Sequence, residues 1–433
     1  MRRLLLTLTL LLGAVGMLAQ DDEVTPIEIE QGYGAEKGFW QVYFNAPTGE
    51  SDRSTYDGGI DLQLVAAIED AQATLDIAAF EWGNPRLTEA VVDAYERGVQ
   101  VRMVVDDEHV IEENEILLEE DEEAPFQAII DAGIPFVDDD RSALMHNKFM
   151  IIDSEIVWQG SMNYTMNGTY RNNNNMIALR SRDAVAAYQT EFNEMFVREE
   201  FGPTSTDDDV TTFFAGDGAQ VGIYFASEGD VVEPLLDVLD TAEESIHFMA
   251  FSFTEDRLGV KMIERAYAGI EVQGIFELRG SETRFSEMGR MYCNALNVRQ
   301  DGNPYILHHK VIIVDEEIVI SGSFNFSDNA TQSNDENLVI IADADLAAQF
   351  MMEFDRLWDV AEPPDAEDME CNLSVPEQAP WVDVTGSVSC PSANTCGDLT
   401  CGEAYACLGE GLTRLDRDSD GVPCEAICPG GDR

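Results

Sequence analysis

The sequence predicts an α/β fold made of two related sheet-and-helix halves, followed by a small cysteine-rich C-terminal module. Three observations carry that prediction. His146, Lys148, Asp153, Gly160-Ser161 and Asn163 recur as His308, Lys310, Asp315, Gly322-Ser323 and Asn325, with every interval identical. Short apolar runs of strand character alternate with amphipathic helical segments in both halves, the pattern of an α/β sheet. Seven of the eight cysteines lie beyond residue 370.

Residues 1–20 (MRRLLLTLTLLLGAVGMLAQ) join two arginines to an apolar run and a small residue, the make-up of a secretory signal peptide. No later apolar run is long enough to span a membrane, so a secreted or periplasmic protein is expected. The first half, 21–205, opens with an acidic lead-in and a strand from Trp40 to Pro47. GIDLQLVAAIEDAQA then reads as a helix, TLDIAAFEW as a strand, PRLTEAVVDAYERG as a helix with Pro near its start, and VQVRMVVDD as a strand. A polar stretch from Gly202 links to the second half, 206–362, which repeats the series as VGIYFAS, VVEPLLDVLDTAEE, SIHFMAFSF, EDRLGVKMIERAYAG and IEVQGIFEL. Ala78 to Phe80 (AAF) match Met249 to Phe251 (MAF), so the duplication begins well upstream of the motifs. A polar, proline-bearing linker, 363–395, leads to the terminal module, 396–433.

MIID and VIIVD follow the motif lysines as buried strands. Alternate side chains on a strand share a face, so His146 points with Lys148 and His308 with Lys310, while His309 points away. A turn at Glu316-Glu317 returns the chain and brings Ser323 and Asn325 towards that face. Each half thus offers an imidazole, an ammonium and an amide to one point, an inventory suited to splitting a phosphodiester without metal. Lys and Asn stabilise charge on the non-bridging oxygens. One His can attack phosphorus, and the other can protonate the leaving oxygen. Of the four lysines (Lys37, Lys148, Lys261 and Lys310), two fall inside the motifs.

The doubled HxKxxxxD motif, each copy followed by GSxN, resembles the phospholipase D superfamily over roughly residues 40 to 360. The resemblance implies two pseudo-twofold-related halves around one phosphodiester site, a phosphohistidine intermediate and no cofactor for catalysis. It also implies that Asp153 and Asp315, at strand ends, act structurally. Family members place a carboxylate beside the motif histidine. Glu336 stands 28 residues after His308, and the same count from His146 lands on Asn174. A carboxylate favours the protonated imidazole, so Glu336 is expected to hold His308 as the general acid. His146, beside a neutral amide, is then expected to attack phosphorus.

The halves differ between Asp106 and His146, where an acidic run beginning DDEHVIEENEILLEEDEEAP lengthens the first half. It reads as a solvated helix or loop, or as a rim over the cleft that selects against polyanions. His109 within it is expected to be exposed. His247 corresponds to Asp76 and is expected to pack.

In the tail, Asp416, Asp418, Asp420 and Gly421 match the first half of an EF-hand loop, with Glu425 after them. Position 12 of such a loop would be Ile427, so the match stops short. With TCGDLTCGEAYACL and Cys424-Glu425 the stretch resembles the excalibur domain, which implies an extracellular calcium-binding module. Its cysteines, in an exported chain, read as disulfides, and eight cysteines permit 105 pairings.

The formal charge is −59, from 84 acidic and 25 basic residues. Such a surface repels nucleic acid and anionic membranes at low ionic strength. It resembles the acid-rich, lysine-poor surfaces of halophilic proteins, and in molar salt the Debye length falls to about 3 Å. The expected partner is therefore a phospholipid substrate met through transient membrane-surface contact. A nucleic-acid substrate is the alternative reading, and an inactive phosphate-binding scaffold the third. Unscreened self-repulsion opposes the compact state, so the melting temperature is predicted to rise from low to molar sodium chloride. A flat or falling curve in a thermal-shift series would remove the halophile reading.

Overall fold

The computed structural model describes residues 23–119, 124–205, 211–216 and 218–365, with 369 and 371. The signal-peptide segment, most of the linker and the terminal module with Asp416, Asp418, Asp420 and Glu425 lie outside the described residues. Among the described residues no helix is long and apolar enough to cross a membrane.

The fold is mixed α/β with two large sheets. The first contains β1 (Thr25–Ile29), β2 (Gly32–Lys37), β3 (Trp40–Asn45), β4 (Thr74–Ala79), β5 (Gln100–Val105), β6 (Phe136–Asp138), β7 (Lys148–Ile152), β8 (Ile156–Gly160) and β9 (Asn175–Leu179). Their order across the sheet is β1-β2-β3-β9-β8-β7-β4-β5-β6. The second contains β10 (Thr211–Ala215), β11 (Ala219–Ala226), β12 (Ser245–Ala250), β13 (Glu271–Phe276), β14 (Asn297–Gln300), β15 (Lys310–Val314), β16 (Ile318–Gly322) and β17 (Glu336–Ala342), ordered β10-β11-β17-β16-β15-β12-β13-β14. From β3 and β11 onwards the two orders correspond strand for strand. Both keep the β4–β5–β6 type of parallel pairing at one side and antiparallel pairing at the other.

Two departures from the sequence reading concern edges. The acidic lead-in forms the hairpin β1–β2, and the link between halves contains β10. β1 is mostly exposed and carries glutamate, as an edge strand must to resist pairing with other chains. Its order comes from pairing with β2, which local hydrophobic pattern does not report.

The inner faces of the two sheets share one core. Phe44, Phe149, Val311 and Ile313 meet there with Tyr188 and Phe192 of the helix Arg182–Asn193 and Phe350 and Phe354 of the helix Ala344–Trp358. The outer face of each sheet is covered separately. On the first, the helix Pro85–Glu96 buries Leu87, Ala90, Val91 and Ala94, an i, i+3, i+4, i+7 stripe. Asn84 caps it by accepting from the Arg86 and Leu87 N–H groups, and Pro85 fits the first turn, where no donor is lost. The helix Asp256–Tyr267 covers the second sheet with Leu258, Met262 and Ile263. A disulfide between Cys293, which ends the helix Glu287–Cys293, and Cys371 ties the start of the tail to the second half.

Asp153 and Asp315 lie at the ends of β7 and β15 remote from the motif histidines. Asp153-Ser154 and Asp315-Glu316 have φ between 52° and 54°, the left-handed conformation of a two-residue hairpin turn, which Asp tolerates. Asp153 accepts the N–H groups of Gln72, Ala73 and Thr74 at 2.6–3.0 Å, and Asp315 those of Glu243, Glu244 and Ser245 at 2.7–2.8 Å. Each carboxylate thus fastens the hairpin to the start of the neighbouring strand. Burial disfavours the charged form, but the three donors together outweigh it, and both carboxyls sit below the usual range. A lowered folded pKa means that this stability is present above the unfolded value of about 3.9 and lost as pH falls through the folded value. Asp153→Ala is predicted to cost about 2 kcal/mol at neutral pH. It should also flatten the acid limb of a stability-versus-pH curve measured by denaturant unfolding; an unchanged acid limb would count against the assignment.

Candidate active site

The motif histidines stand immediately before β7 and β15, at matching places in the two sheets. His146, Lys148, His308 and Lys310 are all buried. Each lysine folds its Nζ back onto the carbonyl of its own motif histidine, Lys148 to His146 at 2.7 Å and Lys310 to His308 at 2.9 Å. A phenyl ring lies over each pair. The Phe80 centroid is 4.5 Å from the His146 ring and 4.6 Å from Lys148 Nζ, and that of Phe251 is 4.7 Å from both His308 and Lys310 Nζ. These rings exclude water and give each ammonium a π face. They end the repeated AAF and MAF, the signal by which they could have been found.

The hydrogen bonds that orient the imidazoles cross between the halves. Glu336 Oε2 lies 2.7 Å from His146 Nδ1, and His308 Nδ1 instead meets Asn174 Oδ1 at 2.9 Å. This corrects the expected pairing of Glu336 with His308 and Asn174 with His146. The cause is the backbone exchange beside each motif. The His146 N–H donates to the Asp335 carbonyl and the His308 N–H to that of Asn173, both at 2.9 Å. Asn172-Asn173 also pairs in parallel with Ile306-Leu307. Each histidine therefore lies beside the segment of the other half that precedes β9 or β17.

Ser161 and Ser323 complete the arrangement. Ser161 Oγ donates to Asn174 Oδ1 at 2.9 Å, while Asn174 Nδ2 donates to the Gly168 carbonyl, which fixes the amide oxygen towards His308. Ser323 Oγ donates to Glu336 Oε2 at 2.7 Å. A Cβ on Gly160 or Gly322 would come within 2.3 Å of the Asn175 carbonyl oxygen or 2.1 Å of that of Asn337. Glycine is needed there so that each serine can approach the neighbouring strand. Asn163 and Asn325 follow on the same turns. Their Oδ1 atoms are buried without a hydrogen-bond partner, which leaves Nδ2 as the end able to reach an anion.

A tier of acids behind the histidines was not singled out by sequence reasoning. Asp106 accepts the N–H of Met145 at 3.0 Å, and Glu277 accepts that of Leu307 at 2.6 Å, each just before a motif histidine. Burial and the adjacent Asp106 push Asp139 up to about 7, and burial with Asp301 pushes Glu277 up to about 7. Their signal was position alone, at the ends of β5 and β13. His109, expected to be exposed, is half-buried: its Nδ1 is 2.8 Å from Asp106 and its ring 4.3 Å from Phe80. The Asp106 hydrogen bond raises its proton affinity. His247 packs edge-on against Phe354, and His309 is held between Glu353 and Asn175 at 2.9 Å each.

Among the described residues, Asp106, Asp107 and Asp139 and, separately, Glu191, Glu194 and Glu228 are close enough to share an ion. The first set is already engaged: Asp106 with His109 and the Met145 N–H, Asp139 with Arg141 and the Asp107 N–H.

The titratable groups of the two motifs lie close enough to shift one another, with Glu336, Glu81, Asp106 and Glu277 acting on the lysines in the opposite sense. Burial, then the lysines, push both His146 and His308 well below the usual imidazole range. Burial lowers Lys148 to about 7, and burial with Lys148 nearby pushes Lys310 well down. Glu336 rises to about 8 through burial, against the pull of Lys148, Ser323 and Lys310. A bound anion would satisfy two ammonium groups, two imidazoles and two amides at once.

Known proteins resemble this chain in sequence and in fold. The chain is 31% identical over 125 residues to a mitochondrial cardiolipin hydrolase of Chlamydomonas reinhardtii, covering 29% of this chain and 56% of that protein. It is 31% identical over 133 residues to a phospholipase D of Rickettsia bellii, covering 31% and 66%. The chain thus spans less than two thirds of the length of these relatives. Among solved structures, phosphatidylserine synthase of Haemophilus influenzae shares the fold over 79% of this chain and 89% of its own, with a TM-score of 0.57 and 14% identity. Nuc of Salmonella typhimurium, a phospholipase D family member, is 32% identical over 33% of this chain and 97% of its own, with a TM-score of 0.32. The family model described as "Cardiolipin synthase, PLD-like domain" matches residues 64–196 and 235–358, more than half of the sequence, and the protein is a member of the phospholipase D superfamily.

Proposed function

We propose that this protein is an exported phosphodiesterase that hydrolyses the headgroup phosphodiester of a phospholipid through a phosphohistidine. The observation that carries the reading is the buried cluster of His146, Lys148, His308 and Lys310, with a phenyl ring over each His–Lys pair. Lys148, Lys310 and the Nδ2 groups of Asn163 and Asn325 hold the non-bridging oxygens, so charge stabilisation needs no metal.

His146 is the nucleophile in this reading, for a reason different from the one read in the sequence. As its Nε2 bonds to phosphorus the ring becomes positively charged, and Glu336 on Nδ1 compensates that charge. Asn174 offers His308 only a dipole. Binding of the anionic phosphodiester offsets the burial and the lysines and favours a proton on His308; lacking a carboxylate, it is the stronger acid and gives that proton to the leaving oxygen as the P–O bond breaks. Neutral His308 then takes a proton from water, whose oxygen attacks phosphorus and breaks the N–P bond. The products are an alcohol and a phosphate monoester, and His146 is regenerated.

The lipid reading is supported by the names of the relatives and by a charge of −59, which disfavours polyanions. The nucleic-acid alternative uses the same site. Headgroup release from phosphatidylcholine should exceed cleavage of single-stranded DNA at both low and molar salt; DNA cleavage that dominates in molar salt would favour the nuclease. The small terminal module is proposed to bind calcium through Asp416, Asp418, Asp420 and Glu425, separately from catalysis.

Trapping the phosphoenzyme by acid quench and mapping the labelled peptide should place phosphate on His146. Glu336→Gln is predicted to slow its formation about a hundredfold. Asn174→Asp, which adds a carboxylate beside His308, should weaken the acid and slow leaving-group departure most for poor leaving groups. Label on His308 would reverse the roles.

A further inference from the structure

Two insertions follow equivalent strands, one after β5 and one after β13, and each begins at an acid tied to the backbone just before a motif histidine. Residues 278–286 form the second. At its start, Glu277 grips the Leu307 N–H beside His308, and at its end the Glu287 N–H donates to the Phe253 carbonyl at 2.9 Å. Phe253 is two residues beyond Phe251, the ring packed on His308. Both ends of the insertion are therefore tied to backbone within two residues of His308 and of Phe251, and the tip between them, residues 278–280 and 282–285, is exposed.

That tip is apolar and locally basic in a strongly acidic protein. Leu278 is 48% and Phe285 61% exposed. Arg284 lies over the Phe285 ring at 4.6 Å, and Arg279 acts electrostatically on the carboxyl of Asp301. The insertion's exposed charges are Arg279, Glu282 and Arg284, a net positive tip on a chain of −59. The insertion after β5 presents Ile116 and Leu118 on the helix Glu113–Glu119, 54% and 45% exposed. Its link to the site is the same in kind: Asp106 behind Met145, and His109 on Phe80.

From this arrangement we infer that the rim of the cleft docks on a phospholipid surface, with Leu278 and Phe285 inserted among the acyl chains and Arg279 and Arg284 on the phosphates. The inference rests on the phosphodiesterase reading and names the surface at which that site works. Charge and apolarity occur together at the tip as in interfacial anchors, where arginine stays at the headgroup level above a buried aromatic. The buried position of the histidines adds a requirement: a headgroup must be drawn off its bilayer into the cleft, which is possible only where the mouth itself meets the surface.

The test compares the wild-type chain with Leu278→Ser/Phe285→Ser and Arg279→Glu/Arg284→Glu double variants on two substrates. One is vesicles of phosphatidylcholine with a minority of phosphatidylglycerol; the other is the soluble diester bis(p-nitrophenyl) phosphate. Both variants should lose about tenfold or more on vesicles. Both should stay within about twofold of wild type on the soluble diester, since no altered side chain contacts the histidines. Equal activity on vesicles would overturn the proposal. So would equal loss on both substrates, which makes the insertion part of the site. If wild type cleaves neither, the phosphodiesterase reading fails, and vesicle flotation of the same proteins decides docking alone: binding by wild type lost in both variants supports it, and absent or unchanged binding overturns it.

Discussion

Each motif histidine is held by the other half of the molecule. The backbone N–H and the Nδ1 of His146 go to Asp335 and Glu336, and those of His308 to Asn173 and Asn174. Arg141 reinforces the first exchange by pairing with Asp335, whose other oxygen accepts the Gly202 N–H. Buried polar groups are costly unless satisfied, so these bonds fix how the two sheets face each other as firmly as the apolar core does. The site is a property of the interface, and neither half contains it.

The same interface explains the electrostatics. Two lysines and two imidazoles are packed between phenyl rings with Glu336 as the carboxylate in contact, and burial depresses every cation of the set. In such surroundings charge stabilisation is organised before the substrate arrives, because no solvent must reorient when an anion enters. The acids behind the site, Asp106 with Asp139 and Glu277 with Asp301, grip backbone rather than substrate. Burial raises Asp139 and Glu277, while Asp106 and Glu277 still favour the charged forms of Lys148 and Lys310.

Most of this was legible in the sequence because it is local. The strands after each lysine, the helices with their caps, and the face shared by His and Lys follow from period and spacing. The doubled motif also marked Asn163 and Asn325 at fixed distances. What escaped was long-range. Glu336 and Asn174 were assigned by counting along each half, and counting cannot show that the chains trade partners across the interface. The hairpin β1–β2 and strand β10 were missed because edge strands draw their order from a neighbour. His109 sat in a run of charge that looked solvated, and only the fold brings Phe80 against it.

The disulfide between Cys293 and Cys371 changes where the tail begins in space. Just past the helix Ala344–Trp358 the chain is already held by Gln300, which exchanges backbone hydrogen bonds with Glu362. The disulfide then carries Cys371 to the end of a seven-residue helix that starts where the Leu278–Phe285 insertion stops. Seven helical residues span about 10 Å. Cys371 is thus moored within about one such helix length of that insertion. Whatever follows Cys371 starts from this covalent anchor, so the length of chain before it no longer sets how far from the second half it can begin.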